Sequence, residues 1–238
     1  MRDVVGIWLG ALDGTTWWEH DADEPVLAAS LMKVPVAMAS LTLDLDLSVD
    51  VHADFDSVVA GERFELDEDG DQDPDTWSEV GGTQTLRELR RRSIVLSGNL
   101  ATNLVMEQTG VSAVTDVMPQ VRRMISDQPA TDAGIVNEAS ARQWGRLLGR
   151  VAASYGEVED VMRGQTYRDG IPAGLPPGTP VANKTGWIDD HTHDMAIVRP
   201  DGGTPFALVV LARLGGVPTD EGNARVAEIA REAWGRRP

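Results

Sequence analysis

The sequence predicts an α/β protein of the α+β type, in which an antiparallel sheet flanked by N- and C-terminal helices carries an all-α insert. Two observations support this. Val4–Leu12 is an apolar run that ends in the hairpin signal Asp13-Gly14, and strand patterns return from Val181–Ile188 onwards. Helical patterns dominate the stretch between these two groups of strands. The two ends of the chain are therefore expected to build one sheet together.

The N-terminal elements follow from local signals. Thr15–His20 is the return strand of the first hairpin, and the helix after it runs to about Leu43, with Pro35 in its first turns, where a missing N–H costs least. Leu43–Leu47 alternates apolar and polar residues, which favours a short exposed strand. The acidic run Asp67–Asp75 does not match the spacing of an EF-hand loop, so we interpret it as a solvated loop.

The middle of the chain is predicted to be helical. The tetrapeptide Thr85–Glu88 is a capping box and starts one helix, and the next opens at Asn99 and closes at Gly110. Further helices are expected over Ser112–Met118 and Glu138–Val151. We assign residues 45–177 to a mainly helical domain.

The C-terminal part returns to the sheet. The Pro/Gly-rich segment Gly170–Pro180 connects the helices to strands at His193–Arg199 and Phe206–Leu214. Thr219–Trp234 is a final amphipathic helix. Residues 1–44 together with 178–238 are the predicted sheet domain.

Composition limits the classes of function. The 238 residues carry a formal charge of −17 with a pI of about 4.5, which argues against nucleic-acid binding. The acidic balance suits a high-salt cytoplasm or reflects a GC-rich genome. There is no cysteine and no apolar run long enough for a membrane span. The N-terminus lacks a signal-peptide pattern, so we expect a cytoplasmic protein that needs no cofactor. His191–Asp194 is half of a metal-ligand run; we interpret it as a turn and expect no metal.

The first chemical signal is a serine and a lysine three residues apart. Ser30 and Lys33 lie at the start of a predicted helix, where this spacing puts both side chains on one face. A serine hydroxyl needs a neighbour that takes its proton, and a desolvated lysine can do so because burial lowers its pKa. The apolar neighbours Leu31, Met32 and Val34 would supply the burial. Alone, such a pair is a weak signal.

Lysine usage strengthens this signal. Lys33 and Lys184 are the only lysines of the chain, and every other cationic side chain apart from histidine is arginine. Lysine can lose its proton in a protein and arginine cannot, so the two positions suggest that an amine is needed there.

Two later motifs complete a set. Ser97-Gly98-Asn99 is a Ser-x-Asn between two predicted helices, and Lys184-Thr185-Gly186 lies on a predicted strand. In this order, S-x-x-K, S-x-N and K-T-G resemble the class A serine β-lactamase family and its relatives, the penicillin-binding proteins. The resemblance spans roughly the whole chain. It implies the β-lactamase/transpeptidase-like fold, with an active-site cleft between the two domains.

The resemblance also implies a role for each motif residue. Ser30 would attack a carbonyl and become acylated, Lys33 would accept or relay its proton, and Ser97 would pass a proton to the leaving nitrogen. The substrate-binding residues would be Asn99 for the substrate amide, Lys184 and Thr185 for a carboxylate, Gly186 for close approach to the strand, and Trp187, whose N–H would form the oxyanion hole with that of Ser30.

The chain departs from the family pattern in two places. Gly98 stands where class A enzymes carry Asp, so a buried acidic anchor is missing. The loop that should carry a Glu in the pattern E-x-x-x-N lacks it; Asp127 is the candidate for the deacylation base, and Asp132 is the other acid of that loop. Three interpretations stay open, all with a small-molecule partner. They are a β-lactamase-type serine hydrolase, a penicillin-binding-like peptidase, esterase or acyl-transfer enzyme with slow deacylation, and a non-catalytic binding protein on the same fold.

Overall fold

The computed structural model describes residues 3–238 and confirms the α+β fold with an antiparallel sheet. The strands are β1 (Val4–Ala11), β2 (Thr16–His20), β3 (Val26–Leu27), β4 (Ser48–Asp50), β5 (Asp54–Asp56), β6 (Arg63–Glu65), β7 (Thr83–Thr85), β8 (Glu138–Ala139), β9 (Val181–Ile188), β10 (His191–Val198) and β11 (Phe206–Arg213). The helices are α1 (Lys33–Ser40), α2 (Pro74–Trp77), α3 (Leu86–Val95), α4 (Asn99–Thr109), α5 (Val111–Val117), α6 (Gln128–Asp132), α7 (Ala141–Ser154), α8 (Gly156–Arg163), α9 (Ile171–Gly174) and α10 (Thr219–Gly235). A short 3₁₀ helix, Ala29–Met32, precedes α1.

By its internal contacts the chain forms two compact units. The first holds the chain up to Leu31 together with Glu138–Pro238, and the second is Met32–Asn137. The sequence places domain boundaries after residue 44 and before residue 178, and that division stays a prediction.

The first unit is built on a five-stranded antiparallel sheet in the order β2-β1-β11-β10-β9. The two ends of the chain meet in it, because β1 pairs with β11 over its whole length, from Val4 opposite Arg213 to Ala11 opposite Phe206. Strand β9 is an edge strand, so one side of its backbone is not paired within this sheet.

One face of the sheet packs on α10 and α9. Side chains alternate between faces along a strand, so residues paired across strands share a face. Ile7, Val210 and Ala196 belong to this face and pack against Val226 and Ile229 of α10 in one buried apolar cluster.

The opposite face packs on α7. A Cβ added at Gly145 of α7 would lie 2.3 Å from the ring of Trp8 on β1, so only glycine lets the helix come this close to the tryptophan. A row of residues crosses this face from Gly6 through Leu211 and His193 to Gly186, because each pairs with the next across the strands.

The second unit is a helical cluster around α1. Every residue of α1 is buried, and the helix contacts α3, α4 and α5. Thr85 caps α3 by accepting the backbone N–H of Glu88, as the sequence predicts, and Gly110 is the C-cap of α4. The short strand pairs β4 with β7 and β5 with β6 complete the unit.

Several local expectations were wrong. Ser30 lies in a 3₁₀ helix, because the α-helix begins only at Lys33. No strand forms over Leu43–Leu47, where the chain turns before β4. Residues 191–194 are strand rather than turn, because the two-residue turn Asp189-Asp190 already reverses the chain. The acidic run Asp67–Asp75 is not wholly solvated.

Within residues 3–238, no helix combines the length and apolarity needed to cross a membrane.

Candidate active site

The buried side chain of His193 forms a hydrogen bond with the segment that carries Ser30. Nε2 of His193 donates to the carbonyl of Leu27 at 2.9 Å, and Nδ1 accepts the N–H of Ala212 at 3.1 Å. Burial lowers the pKa of His193 to about 4, so the ring is neutral and can donate from one nitrogen while accepting at the other. Ala29, between Leu27 and Ser30, has a φ of +43°, a conformation that a non-glycine residue adopts only under constraint.

Gly186 of β9 lies against the backbone of Ser30. A Cβ at this position would be 3.1 Å from the backbone N of Ser30 and 3.3 Å from that of Leu31. A side chain at this position would force the strand or the 3₁₀ helix to shift by a few tenths of an ångström. The structure thus brings two of the predicted residues, Ser30 and Gly186, together, and it leaves Ser30 only partly buried.

The other residues of the K-T-G strand also lie in the first unit. Lys184 is fully buried and its Nζ donates to the carbonyl of Thr185 at 2.8 Å. The buried Oγ1 of Thr185 has no hydrogen-bond partner within residues 3–238. Trp187 is half-buried and stacks edge-on against Tyr167, with ring centroids 4.8 Å apart. A hydroxyl left unpaired in a buried position is available to a ligand.

Lys33 is the centre of a polar cluster in the second unit. Its Nζ donates to Oδ1 of Asn99 at 2.8 Å, to Oγ of Ser97 at 3.2 Å and to the carbonyl of Ser97. The side chain is fully buried, and burial lowers its pKa to about 7. The negative charges of Asp71 and Asp73 act in the opposite direction and raise the pKa. A lysine in this state exchanges a proton readily near neutral pH. The structure thus brings Lys33, Ser97 and Asn99 together.

Ser97 is held in a strained backbone conformation. It joins α3 to α4 with a φ of +64°, and its residue is buried. Such a φ in a serine is uncommon and persists only where the surroundings impose it. Here it turns the carbonyl and the hydroxyl of one residue toward the same amine.

Two aspartates of the acidic run join this cluster, and the sequence did not indicate them. The carboxylate of Asp71 accepts the backbone N–H groups of Asn99 and Leu100 at 2.8 and 2.9 Å. Asp73 is fully buried, and a Cβ added at Gly98 would lie 2.8 Å from its Cβ. The only available signal was the Asp-Pro pair at residues 73 and 74, which is typical of a helix start.

Asp194, which the sequence placed in a turn, is a buried acid on β10, the strand next to the K-T-G strand. Asp194 of β10 accepts the N–H of Ile171 at 2.8 Å and the side-chain amide of Asn183 at 3.1 Å. Burial raises its pKa to about 7, although Lys184 opposes the shift.

A model of the β-lactamase enzyme family matches residues 2–236, nearly the whole chain. The chain belongs to this family. No curated protein sequence matches it.

Solved structures, among them a class A β-lactamase, share the fold of this β-lactamase-family chain. The ancestral (GNCA) class A β-lactamase is 23% identical with a TM-score of 0.80, and the match covers 98% of this chain and 94% of that one. The protein L2 in complex with relebactam is 23% identical with a TM-score of 0.78, over 97% and 90% of the two chains. PBP-A is 19% identical with a TM-score of 0.74, over 99% and 91%. At these identities the likeness shows the fold.

Asp127, the predicted deacylation base, is the N-cap residue of a short helix. Asp127 is fully buried, and its Oδ1 caps α6 by accepting the N–H of Ala130 at 3.0 Å. The same oxygen accepts the hydroxyl of Ser57 at 2.6 Å, and Oδ2 accepts the N–H of Val58 at 3.2 Å. Asp132 is exposed and accepts the side-chain amide of Gln128. Both acids between Pro119 and Asn137 are thus engaged locally, and the role of Asp127 as a base stays a prediction.

Proposed function

We propose that this chain is a serine hydrolase of the class A β-lactamase type that forms an acyl-enzyme on Ser30, with β-lactams as the acylating substrate class. The observation that carries the proposal is the state of Lys33, whose buried amine has a pKa lowered to about 7 and is held to Ser97 and Asn99. A general base works best when its pKa lies near the working pH. Lysine side chains are rarely buried completely, because burial disfavours their charged form.

The family resemblance supplies the order of steps. Oγ of Ser30 attacks the lactam carbonyl carbon while its proton passes to the neutral amine of Lys33. The ring C–N bond then breaks, Ser97 gives its proton to the leaving nitrogen, and the ammonium of Lys33 returns a proton to Ser97. The product is an ester on Ser30. Water attacks the ester carbonyl in a second step, which releases the acid and restores the hydroxyl.

Recognition of the substrate rests on the K-T-G strand. A carboxylate needs a cation and a hydrogen-bond donor, and Lys184 and the unpaired hydroxyl of Thr185 provide both chemistries. The N–H groups of Ser30 and Trp187 would bind the developing oxyanion, each such donor lowering the barrier by about 3 kcal/mol. Asn99 would bind the substrate amide with the part of its side chain that Lys33 does not use.

A second candidate is an acylating enzyme with slow release, like a penicillin-binding protein. The observation that favours it is the full engagement of Asp127, whose two oxygens accept three hydrogen bonds from Ser57, Val58 and Ala130. A carboxylate whose two oxygens already accept three hydrogen bonds has little acceptor capacity left for a catalytic water.

Intact mass after mixing with a penicillin, followed over time, tests both candidates. Wild-type protein should gain the mass of one penicillin, Ser30→Ala should gain none, and the control Ser154→Ala, which changes an exposed serine at the end of α7, should behave as wild type. An adduct that disappears within seconds with release of opened drug supports the β-lactamase, and a persistent adduct supports slow release. No adduct with penicillins, cephalosporins or activated esters would overturn the acyl-enzyme and favour a binding protein.

A further inference from the structure

The motif Ser97-Gly98-Asn99 has a glycine at its centre. Gly98 is the N-cap residue of α4, and it offers no side chain to satisfy the first N–H groups of that helix. The motif residues Ser97 and Asn99 lie on either side of it, and both contact Lys33. Another residue must therefore accept hydrogen bonds from the first N–H groups of α4.

Asp71 satisfies the helix start from a different part of the chain. Its two oxygens accept the N–H groups of Asn99 and Leu100, the first two residues of α4. The same carboxylate accepts the indole N–H of Trp77 at 2.8 Å, which fixes its orientation. A negative charge at a helix N-terminus also interacts favourably with the helix dipole.

Asp73 occupies the space beside Gly98. A Cβ at residue 98 would lie 2.8 Å from the Cβ of Asp73 and 3.0 Å from its Oδ2. Residue 98 therefore cannot carry a side chain without displacing Asp73. Asp73 is fully buried and its Oδ2 accepts the hydroxyl of Thr76. The cations that act on it are Lys33, Arg91 and Arg92.

We propose that Asp71 and Asp73 are positioning residues that do, from the neighbouring loop, what the acid of the family motif does at position 98: they hold Ser97 and Asn99 around Lys33. Gly98 leaves room for Asp73, whose side chain fills the space that a side chain at residue 98 would occupy. The two charges also stabilise the ammonium form of Lys33, since both raise its pKa against the effect of burial.

A titration of the lysines tests, without any substrate, the electrostatic half of the proposal, namely that Asp71 and Asp73 raise the pKa of Lys33. Because the chain has two lysines, protein labelled with ¹³C at lysine Cε gives two side-chain signals, and Lys184→Arg identifies that of Lys33. Asp71→Asn and Asp73→Asn should each lower the pKa of Lys33 by about one unit. Asp69→Asn, which changes an exposed acid of the same loop, should leave it unchanged. An unchanged pKa in both Asp71→Asn and Asp73→Asn would overturn the proposal.

An exchange of the two positions tests the geometric half, which rests on the proposed acylation of Ser30. Gly98→Asp alone should slow acylation by penicillin at least about tenfold, because the new side chain collides with Asp73. Asp73→Gly alone should also slow it, and the double variant Gly98→Asp/Asp73→Gly should recover most of the wild-type rate. A double variant that is folded by its melting curve yet no faster than the singles would contradict the exchange. If wild-type protein forms no adduct, the proposed function fails, while the lysine titration still decides the electrostatic half.

Discussion

Lys33 is the residue on which the proposed chemistry depends, and its protonation state sets the expected pH profile. The pKa is lowered from 10.5 to about 7 by burial, so the fraction of neutral amine rises as the pH passes through 7. If the neutral amine accepts the proton of Ser30, the acylation rate should increase about tenfold per pH unit below 7 and level off above it. Stopped-flow or quench mass measurements between about pH 5 and pH 9 give this profile.

Asp194 is the other described group whose pKa is placed at about 7, so the profile needs a control for it. The midpoint should persist in Asp194→Asn and the rate should fall about 10²- to 10⁴-fold in Lys33→Ala. A midpoint that moves or disappears in Asp194→Asn would assign the titration to the aspartate instead.

His193 gives a second prediction at the scale of one residue, on stability. Its pKa is lowered from 6.5 to about 4, so between these values the unfolded chain binds a proton that the folded protein does not. The free energy of unfolding should therefore fall as the pH drops from about 6.5 to 4, with about 3 kcal/mol due to this group. Urea titrations of wild type and His193→Gln should show a shallower pH dependence in the variant. The same slope in both would mean that His193 is not the group responsible.

The grouping of Ser97 and Asn99 with Lys33 could be predicted, because the proposed chemistry needs these residue types in this order. Asp71 and Asp73 could not, because their partners lie more than twenty residues along the chain and depend on how the loop folds back. A run of acids usually indicates solvent exposure, and only the packing distinguishes buried Asp73 from exposed Asp69.

At the scale of elements, the long strands and the helices with clear start signals could be predicted, whereas the short strands β3 to β8 could not. The bounds predicted for Val181–Ile188 match the observed strand, since a Pro/Gly-rich segment ends at Pro180 and the turn Asp189-Asp190 follows. The helix expected from Glu138 begins at Ala141, because Glu138 and Ala139 pair with β3 and Ser140 forms the capping box with Gln143. A strand of two residues has no periodicity for the sequence to reveal.

The contact of β9 with the 3₁₀ helix gives a prediction for that element. Gly186→Ala would bring a Cβ to 3.1 Å from the backbone N of Ser30, and the strand or the helix must shift by a few tenths of an ångström. Acylation of Ser30 should slow by roughly 10- to 100-fold, since small displacements of reacting groups have effects of this size. Gly156→Ala is the matched control, because a Cβ there meets no atom within 4 Å. Equal rates for the two variants would show that the close approach is not needed.

For the whole molecule, charge repulsion should limit stability at low salt. The formal charge is −17, and many of the ion pairs that offset it join exposed arginines to exposed carboxylates, such as Arg63 with Asp54 and Arg87 with Asp46. Exposed pairs contribute little, whereas the excess of like charge acts over the whole surface until salt screens it.

The melting temperature should accordingly rise between about 0.05 M and 1 M NaCl. Calorimetry at neutral pH measures this directly, and the same scan in an equal concentration of KCl checks that the effect is one of ionic strength. A melting temperature that falls with added salt would show that ion pairs outweigh repulsion.

The burial of both lysines has a practical consequence. Activated esters acylate exposed amines, and Lys33 and Lys184 are each 0% exposed. The folded protein should therefore take up no reagent on a lysine side chain, while each unfolded molecule should take up two. Peptide mapping after a short pulse of reagent would measure the fraction of molecules with acylated lysines. That fraction reports how much of the protein was unfolded during the pulse. Rapid modification of either lysine in native buffer would contradict their burial.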